Sequence, residues 1–250
     1  MNLIEKKQDK ISFIAEINES LANAIRRSVN EIPILAIDEV EIHKNDSALY
    51  DEILAHRFGL IPLKNESLTE FENCSCKGKG CNKCQIQLKL NGKGTKTVYS
   101  GDLKGGAEVV YKKMPIVILD EEQELELIGF ARLGKGVNHA KFSPGLMFYR
   151  NIPEISFGSE CDECGKCAEA CPVKIIKVQG KKPTITDINK CDMCLACVEA
   201  CEKKETIKIK QTDQQLITIE SFGQIDAKKI FTEAIDSLNK NLKEVLKAIK

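Results

Sequence analysis

The chain has 250 residues, and its 37 basic and 37 acidic side chains leave no formal net charge at pH 7. A chain without excess positive charge does not attract nucleic acid or an anionic membrane through its overall field. No apolar run approaches the roughly 20 residues that a membrane span requires, and residues 1–5 do not resemble a signal peptide, so we expect a cytoplasmic protein.

The first predicted elements are a strand and a short helix. Residues 10–17 alternate apolar and polar side chains, which predicts a strand buried on one face. Apolar side chains then recur every four residues from 21 to 29, which predicts a helix with Ser20 as its N-cap. Pro33 ends this helix, and residues 34–42 form a second apolar-rich strand.

Arg26 and Arg27 form an adjacent pair on this short helix. One explanation is a solvated helix face. The other is a partner-binding site, because guanidinium groups make geometrically fixed contacts that lysine cannot reproduce. The residue types alone leave both open.

The first group of cysteines has the pattern C-x-C-x4-C-x2-C and consists of Cys74, Cys76, Cys81 and Cys84. Alternate residues of an extended segment point the same way, so the first two can approach one ion from one side. Four thiolates suit closed, structural zinc, although an iron site or a disulfide stays open. The nearby lysines, Lys77, Lys79 and Lys83, offset the charge of such a site; a nucleic-acid patch is the alternative.

The stretch after this group predicts further strands. Residues 89–111 are rich in Gly, Lys and β-forming residues, which predicts hairpins with tight turns at Asn91-Gly92 and at Gly105-Gly106. Residues 116–120 and 124–129 add two strands.

Two further cysteine runs, at 161–171 and 191–201, follow the bacterial ferredoxin pattern C-x2-C-x2-C-x3-C with an offset of 30 residues. In this pattern three cysteines of one run and the fourth of the other hold each cluster. We expect one [4Fe–4S] cluster on Cys161, Cys164, Cys167 and Cys201, and another on Cys171, Cys191, Cys194 and Cys197. Pro172 follows the first run but Glu202 follows the second, so a three-iron form at the Cys201 site stays open.

The end of the chain predicts a strand at 216–219 and a long helix at 226–250. Apolar residues of this helix follow a spacing of 4, 3, 4, 3 and 4, which is a near-heptad seam. Its members are Phe231, Ile235, Leu238, Leu242, Val245 and Ile249. Such a seam packs on its own sheet, on a partner helix, or on both, and we expect both.

Catalytic residues are not predicted for this chain. The histidines, His43, His56 and His139, are scattered singly, with no serine or cysteine at a nucleophile signature beside them. A glycine-rich phosphate loop and the aspartate triad that binds catalytic magnesium in polymerases are also missing from the sequence.

Two blocks carry a family resemblance. Residues 20–27 with 31–37, and residues 51–63 (D-E-I-L-A-H-R-F-G-L-I-P-L), resemble the alpha-like subunits of DNA-directed RNA polymerase, and most closely the archaeal members of that family. Residues 138–144 resemble a third motif of that family. The resemblance implies a non-catalytic scaffold within a nucleotidyltransferase complex. It implies pairing with subunit L, docking to the second-largest catalytic subunit through Asn23, Arg26 and Arg27, and contact with small zinc-bearing subunits.

The resemblance also implies an α+β fold with a discontinuous organisation. A dimerisation domain is expected at 1–43 and 206–250, an inserted mainly-β domain with the four-cysteine zinc site at 44–157, and a ferredoxin-like domain at 158–205. In this interpretation the clusters stabilise or regulate polymerase assembly. The alternatives are a ferredoxin-like electron carrier or iron–sulfur subunit of an oxidoreductase, and a stand-alone nucleic-acid binder.

Overall fold

The computed structural model describes residues 2–64, 81, 84–179, 182–203 and 205–249. The chain divides into two compact units, each assembled from segments that are distant in sequence. The first comprises Met1–Lys6, Ile11–Ala24 and Met147–Thr218; the second comprises Lys7–Lys10, Ile25–Leu146 and Ile219–Lys250.

The described residues form a mixed α/β structure in which strands predominate. The strands are β1 (Asn2–Lys6), β2 (Lys10–Glu16), β3 (Pro33–Asn45), β4 (Ile86–Lys93), β5 (Lys96–Tyr99), β6 (Lys104–Gly105), β7 (Pro115–Leu119), β8 (Glu124–Lys135), β9 (Gly145–Asn151), β10 (Glu154–Phe157), β11 (Ile176–Gln179), β12 (Lys182–Ile185), β13 (Ile207–Lys210) and β14 (Gln214–Ser221). The helices are α1 (Glu19–Ser28), α2 (Asp51–Gly59), α3 (Lys166–Ala170), α4 (Ala196–Glu199) and α5 (Ala227–Ile249).

Most of the four-stranded sheet with order β1-β2-β14-β9 belongs to the first unit. β1 runs antiparallel to β2, with a register irregularity between Leu3 and Glu5. The hydroxyls of Ser12 and Thr218 lie 3.1 Å apart inside the sheet, so two buried polar groups satisfy each other. Two-stranded ribbons, β10 with β13 and β11 with β12, complete this unit.

The second unit is built on a sheet with order β3-β8-β4-β6, next to the ribbon of β5 and β7. α2 contributes Leu54 and Phe58, both 0% exposed, to the main apolar core of this unit. Arg57 on the same helix donates to the carbonyl oxygen of Ile116. At Gly105 a Cβ would lie 2.1 Å from the carbonyl oxygen of Gln87, so a glycine is required for β6 to pair with β4.

Three local predictions were wrong. Gly105, predicted to form a tight turn with Gly106, lies in β6 instead. The side-chain oxygen of Asn18, not that of Ser20, caps α1, because it accepts from the backbone N–H of Leu21 at 2.8 Å. Asn91 and Gly92 lie within β4 and not in a turn. The turn between β4 and β5 uses Gly94, whose φ of +74° is in the left-handed region that glycine favours.

None of the helices among the described residues is both long enough and apolar enough to span a membrane.

Candidate functional site

Residues 158–206 form a cysteine-rich lobe whose two ends lie side by side. β10 and β13 are antiparallel, with Phe157 opposite Ile207, and the backbone N–H of Gly158 donates to the carbonyl oxygen of Thr206 at 2.7 Å. Between these ends the lobe contains α3, the β11–β12 ribbon and α4. Its small core consists largely of cysteine and isoleucine side chains.

The structure brings the eight cysteines of the lobe together in two groups. Cys161, Cys164, Cys167 and Cys201, here called the first cysteine set, line one cavity. Cys171, Cys191, Cys194 and Cys197, the second cysteine set, line the other. Each cavity thus receives three cysteines from one run and the fourth from the other run, which is the grouping that the spacing predicts.

The donor chemistry of the two cavities suits four-iron clusters, because four cysteines line each cavity. In a [4Fe–4S] cluster each cysteine binds a different iron atom, so the four ligand sulfurs surround a volume and not a point. Cysteine quartets that line cavities provide this arrangement.

The two runs share an uncommon backbone conformation. The residue before the second cysteine of each run, Glu163 or Met193, has a φ of 61° or 56°. The residue after that cysteine, Gly165 or Leu195, has a φ of 78° or 63°. A left-handed backbone is strained at residues other than glycine, and such strain concentrates at ligand-holding loops. Its recurrence after 30 residues indicates that both loops are shaped for the same task.

Burial favours the protonated form of two thiols in the lobe. Burial raises the pKa of the Cys167 and Cys197 thiols. A hydrogen bond with the Cys164 side chain holds the pKa of the Asp162 carboxyl below its usual value. Metal ligation requires thiolates, so loading either cavity must release protons.

Glu202 stands after the second run where Pro172 follows the first. Its carboxylate accepts from the ammonium group of Lys166, in the first turn of α3. Hydrogen bonding to Glu202 raises the pKa of Lys166. The glutamate therefore connects the end of one run to the helix of the other, a connection that proline could not make.

Cys81 and Cys84, two of the four predicted zinc ligands, have the sulfur separation that a zinc knuckle would need. Their Sγ atoms lie 3.7 Å apart, and a tetrahedron with Zn–S bonds of about 2.3 Å has an edge of about 3.8 Å. The backbone N–H of Cys81 donates to the Cys84 sulfur at 3.2 Å. The other two predicted ligands, Cys74 and Cys76, lie outside the described residues, as do Lys77, Lys79 and Lys83.

The residues predicted to bind partners through α1 lie on its accessible side. Ile25 and Val29 of the predicted stripe are buried, as is Ala22, whereas Leu21 at the start of the stripe is 43% exposed. Asn23 is half-buried. In the last turn, Arg26 and Arg27 are exposed.

α5 changes character along its length. Its first half buries Ala227, Ile230 and Ala234, and the predicted seam residues Phe231, Ile235 and Leu238 are half-buried there. In the second half, the seam residues Leu242, Val245 and Ile249 are 54%, 55% and 78% exposed. Leu246, which sequence reasoning missed because it falls outside the 4-3 spacing, is 60% exposed beside them.

Sequence reasoning also missed two residues of the first cavity, Lys203 and Thr206. A lysine and a threonine shortly after a cysteine run do not form a motif that indicates a role at a cluster site. A comparison of the residues after Cys171 with those after Cys201 was the one signal that could have found them.

Family models match two parts of the chain. Residues 40–147 match the model described as RNA polymerase Rpb3/RpoA insert domain, and residues 155–202 match the 4Fe-4S dicluster domain.

Three relatives match nearly end to end, and each is named DNA-directed RNA polymerase subunit Rpo3. The Archaeoglobus fulgidus protein is 38% identical, and the match covers 100% of this chain and 97% of the relative. The Methanothermobacter thermautotrophicus protein is 39% identical, with 98% and 96% covered. The Methanosarcina acetivorans protein is 34% identical, also with 98% and 96% covered.

Proposed function

The chain belongs to the family of the archaeal DNA-directed RNA polymerase subunit Rpo3, and from this premise we propose that it is an assembly subunit of the polymerase, without catalytic residues of its own. The observation that carries the proposal is identity of 38% and 39% to two Rpo3 proteins over almost the whole of both chains. The match to the Rpb3/RpoA insert domain over residues 40–147 supports it independently of the cysteine-rich lobe.

The 4Fe-4S dicluster match adds iron–sulfur clusters to this subunit. We propose two clusters, one on the first cysteine set and one on the second, because each set lines its own cavity. When bound, the clusters supply covalent cross-links between the two runs, and the surrounding residues orient the thiolates. A three-iron form at the Cys201 site stays the alternative, because Glu202 stands where Pro172 follows the first run.

The structure of Cys81 and Cys84 supports a further proposal, a structural zinc ion held with Cys74 and Cys76. A structural zinc site needs four ligands and no open position. The described pair has the sulfur separation and the N–H···S hydrogen bond that such a knuckle requires.

We propose three contacts within the polymerase. The seam of α5 pairs with subunit L, because its second half exposes apolar side chains in a row. Asn23, Arg26 and Arg27 dock the second-largest catalytic subunit, and small zinc-bearing subunits join the resulting assembly. The dimerisation domain at 1–43 and 206–250, with its two inserted domains at 44–157 and 158–205, presents these surfaces in the cytoplasm.

A ferredoxin-like electron carrier is the less favoured alternative. It explains residues 155–202 but not the polymerase insert domain that matches residues 40–147.

Affinity purification of the tagged chain from archaeal cells tests the proposed function. We expect the catalytic polymerase subunits and subunit L to be recovered with it, together with about eight iron atoms and about one zinc ion per chain. Recovery of an oxidoreductase without polymerase subunits would contradict the proposal.

A further inference from the structure

The two cavities of the lobe differ in the residues that follow the fourth cysteine of each run. After Cys171, the second cavity is lined by Val173 and Ile175. After Cys201, the first cavity is lined by Lys203 and Thr206. The second cavity thus has an apolar pair where the first cavity has a polar pair. In both cavities the next lining residue along the chain is an isoleucine, Ile176 or Ile207.

The hydroxyl of Thr206 is buried and has no hydrogen-bond partner in the protein. The residue is only 5% exposed, and a buried hydroxyl without a partner costs about 1–3 kcal/mol. Native proteins rarely tolerate this cost, so an orphaned hydroxyl calls for a bound group as its partner.

The position of the Thr206 side chain is consistent with a partner inside the first cavity. Its methyl carbon Cγ2 is 3.8 Å from the place where a Cβ of Gly158 would stand. Gly158 does not line this cavity. Thr206 lines the first cavity and also a cavity beside Gly158, and its methyl and hydroxyl occupy different corners of the same tetrahedral Cβ.

Lys203, the other polar residue of this pair, is not available to donate a hydrogen bond into the first cavity as the Thr206 hydroxyl is. Its ammonium group donates to the carbonyl oxygen of Glu160 at 2.9 Å and lies 3.6 Å from a carboxylate oxygen of Asp162. Its charge is therefore already engaged at the rim of the cavity.

We propose that the Thr206 hydroxyl donates a hydrogen bond to a sulfur atom of the cluster held by the first cysteine set. The inference rests on the ligand assignment proposed above. Sulfurs of a [4Fe–4S] cluster carry negative charge and accept hydrogen bonds, and such bonds stabilise the more negative, reduced form. The Thr206 hydroxyl thus makes the first cluster easier to reduce than the same site would be without it, whereas Ile175 lines the second cavity and offers no such donor.

Replacement of Thr206 by valine, which keeps the shape and removes the donor, tests this inference. The full chain, the T206V and T206S variants and a T184V control are purified anaerobically, and iron and sulfide are measured. The Thr184 hydroxyl donates to the carbonyl oxygen of Lys177 at 3.2 Å, and Thr184 lines neither cavity. Reductive titration with dithionite, followed by electron paramagnetic resonance, then gives the midpoint potential of each cluster.

We expect T206V to retain both clusters and to lower one midpoint potential, while the other stays unchanged. T206S, which keeps the hydroxyl, restores the wild-type potential, and T184V has no effect. In deuterated water, electron–nuclear double resonance of the reduced first cluster shows an exchangeable deuteron that T206V loses and T206S keeps.

Three results would overturn the inference. If T206V carries full iron and neither potential shifts, the hydroxyl does not bond to the cluster. If T206S behaves like T206V, packing and not hydrogen bonding explains the shift. If the wild-type chain lacks one of its two clusters, the ligand assignment itself is wrong and the inference falls with it.

Discussion

Glu163 and Met193 show what a single residue contributes to the lobe. Their side chains are unlike, yet their backbones share the left-handed region. The cysteine spacing could be seen in the sequence, and the two ligand sets expected from it stay a prediction, although each set lines its own cavity. The four residues with a left-handed backbone in these loops could not be identified from the sequence. Only one of them, Gly165, is of a type that favours a positive φ. The role of Thr206 could not be predicted for a related reason. A buried hydroxyl without a hydrogen-bond partner is recognised only when its surroundings are known.

A residue-scale prediction concerns the zinc knuckle. Cys84→Ser removes one of four thiolates, and serine binds zinc weakly at neutral pH because its hydroxyl stays protonated. We expect the loss of about one zinc ion per chain, with the iron content unchanged, by elemental analysis. Cys164→Ser is the matched control and should lower iron while zinc stays. Normal zinc content in Cys84→Ser would show that the site does not hold that metal.

A second residue-scale prediction concerns the arginine pair. The double variant of Arg26→Ala and Arg27→Ala removes two exposed guanidinium groups, so the fold and the pairing with subunit L should be unaffected. Capture of that pair by the second-largest subunit should fall by about tenfold or more, since charged hydrogen bonds contribute about 1.5–3 kcal/mol each. Reconstitution with purified subunits measures both steps. Wild-type yield of complete polymerase would instead identify the arginines as a solvated face.

At the scale of elements, periodicity located α1, α5 and the strands β2, β3, β7, β8 and β14, but it did not find α2–α4, β1 or β9–β13. α5 and β14 lie within a few residues of their predicted positions, because long amphipathic patterns constrain an element over several turns. The error at Asn91-Gly92 has a physical cause. A Cβ on Gly92 would lie 3.1 Å from Val98 Cγ2 and 3.2 Å from Leu119 Cδ1, so this glycine serves close packing inside β4. A turn signal and a packing requirement look identical in a single sequence.

The element-scale prediction concerns the seam of α5. Leu238→Asp or Leu242→Asp places a carboxylate in an apolar interface, which costs on the order of 2 kcal/mol and weakens pairing with subunit L about 30-fold. Analytical ultracentrifugation or titration calorimetry measures the affinity, and the visible absorbance of the clusters should persist. Lys240→Asp changes the charge more but lies outside the 4-3 spacing of the seam, so it should pair normally. Wild-type affinity in both leucine variants would exclude the seam as the interface.

At the scale of the whole molecule, the lobe and its host are joined through β10 and β13. A lobe of about 50 residues buries too little apolar surface to fold unaided, so metal ligation has to hold it together. The domain boundaries at 43/44, 157/158 and 205/206 remain predictions. The sequence alone could not establish these boundaries, because it does not show which distant segments of the chain pack together.

The whole-molecule prediction tests whether the lobe only stabilises the subunit or also provides a surface for polymerase assembly. Cys164→Ser together with Cys194→Ser should abolish both clusters and unfold the lobe, seen as lost visible absorbance and new protease sites. Pairing with subunit L should continue, since a longer flexible loop adds only about 0.6 kcal/mol per doubling of length. Later assembly steps should be impaired. Loss of pairing with subunit L would show that the lobe is part of the core fold. A normal yield of active polymerase would show that assembly does not require the folded lobe.

The pairing of Phe157 with Ile207 has a consequence for how such a chain can evolve. Because the two strands are already neighbours, a deletion of the intervening residues would need only a tight turn of about two residues to leave an ordinary hairpin. Acquisition of the lobe would likewise leave the register of the pair unchanged. Such a deletion would remove both proposed cluster sites and leave the β10–β13 pair intact, so the lobe can be gained or lost without a change in the strands that carry it.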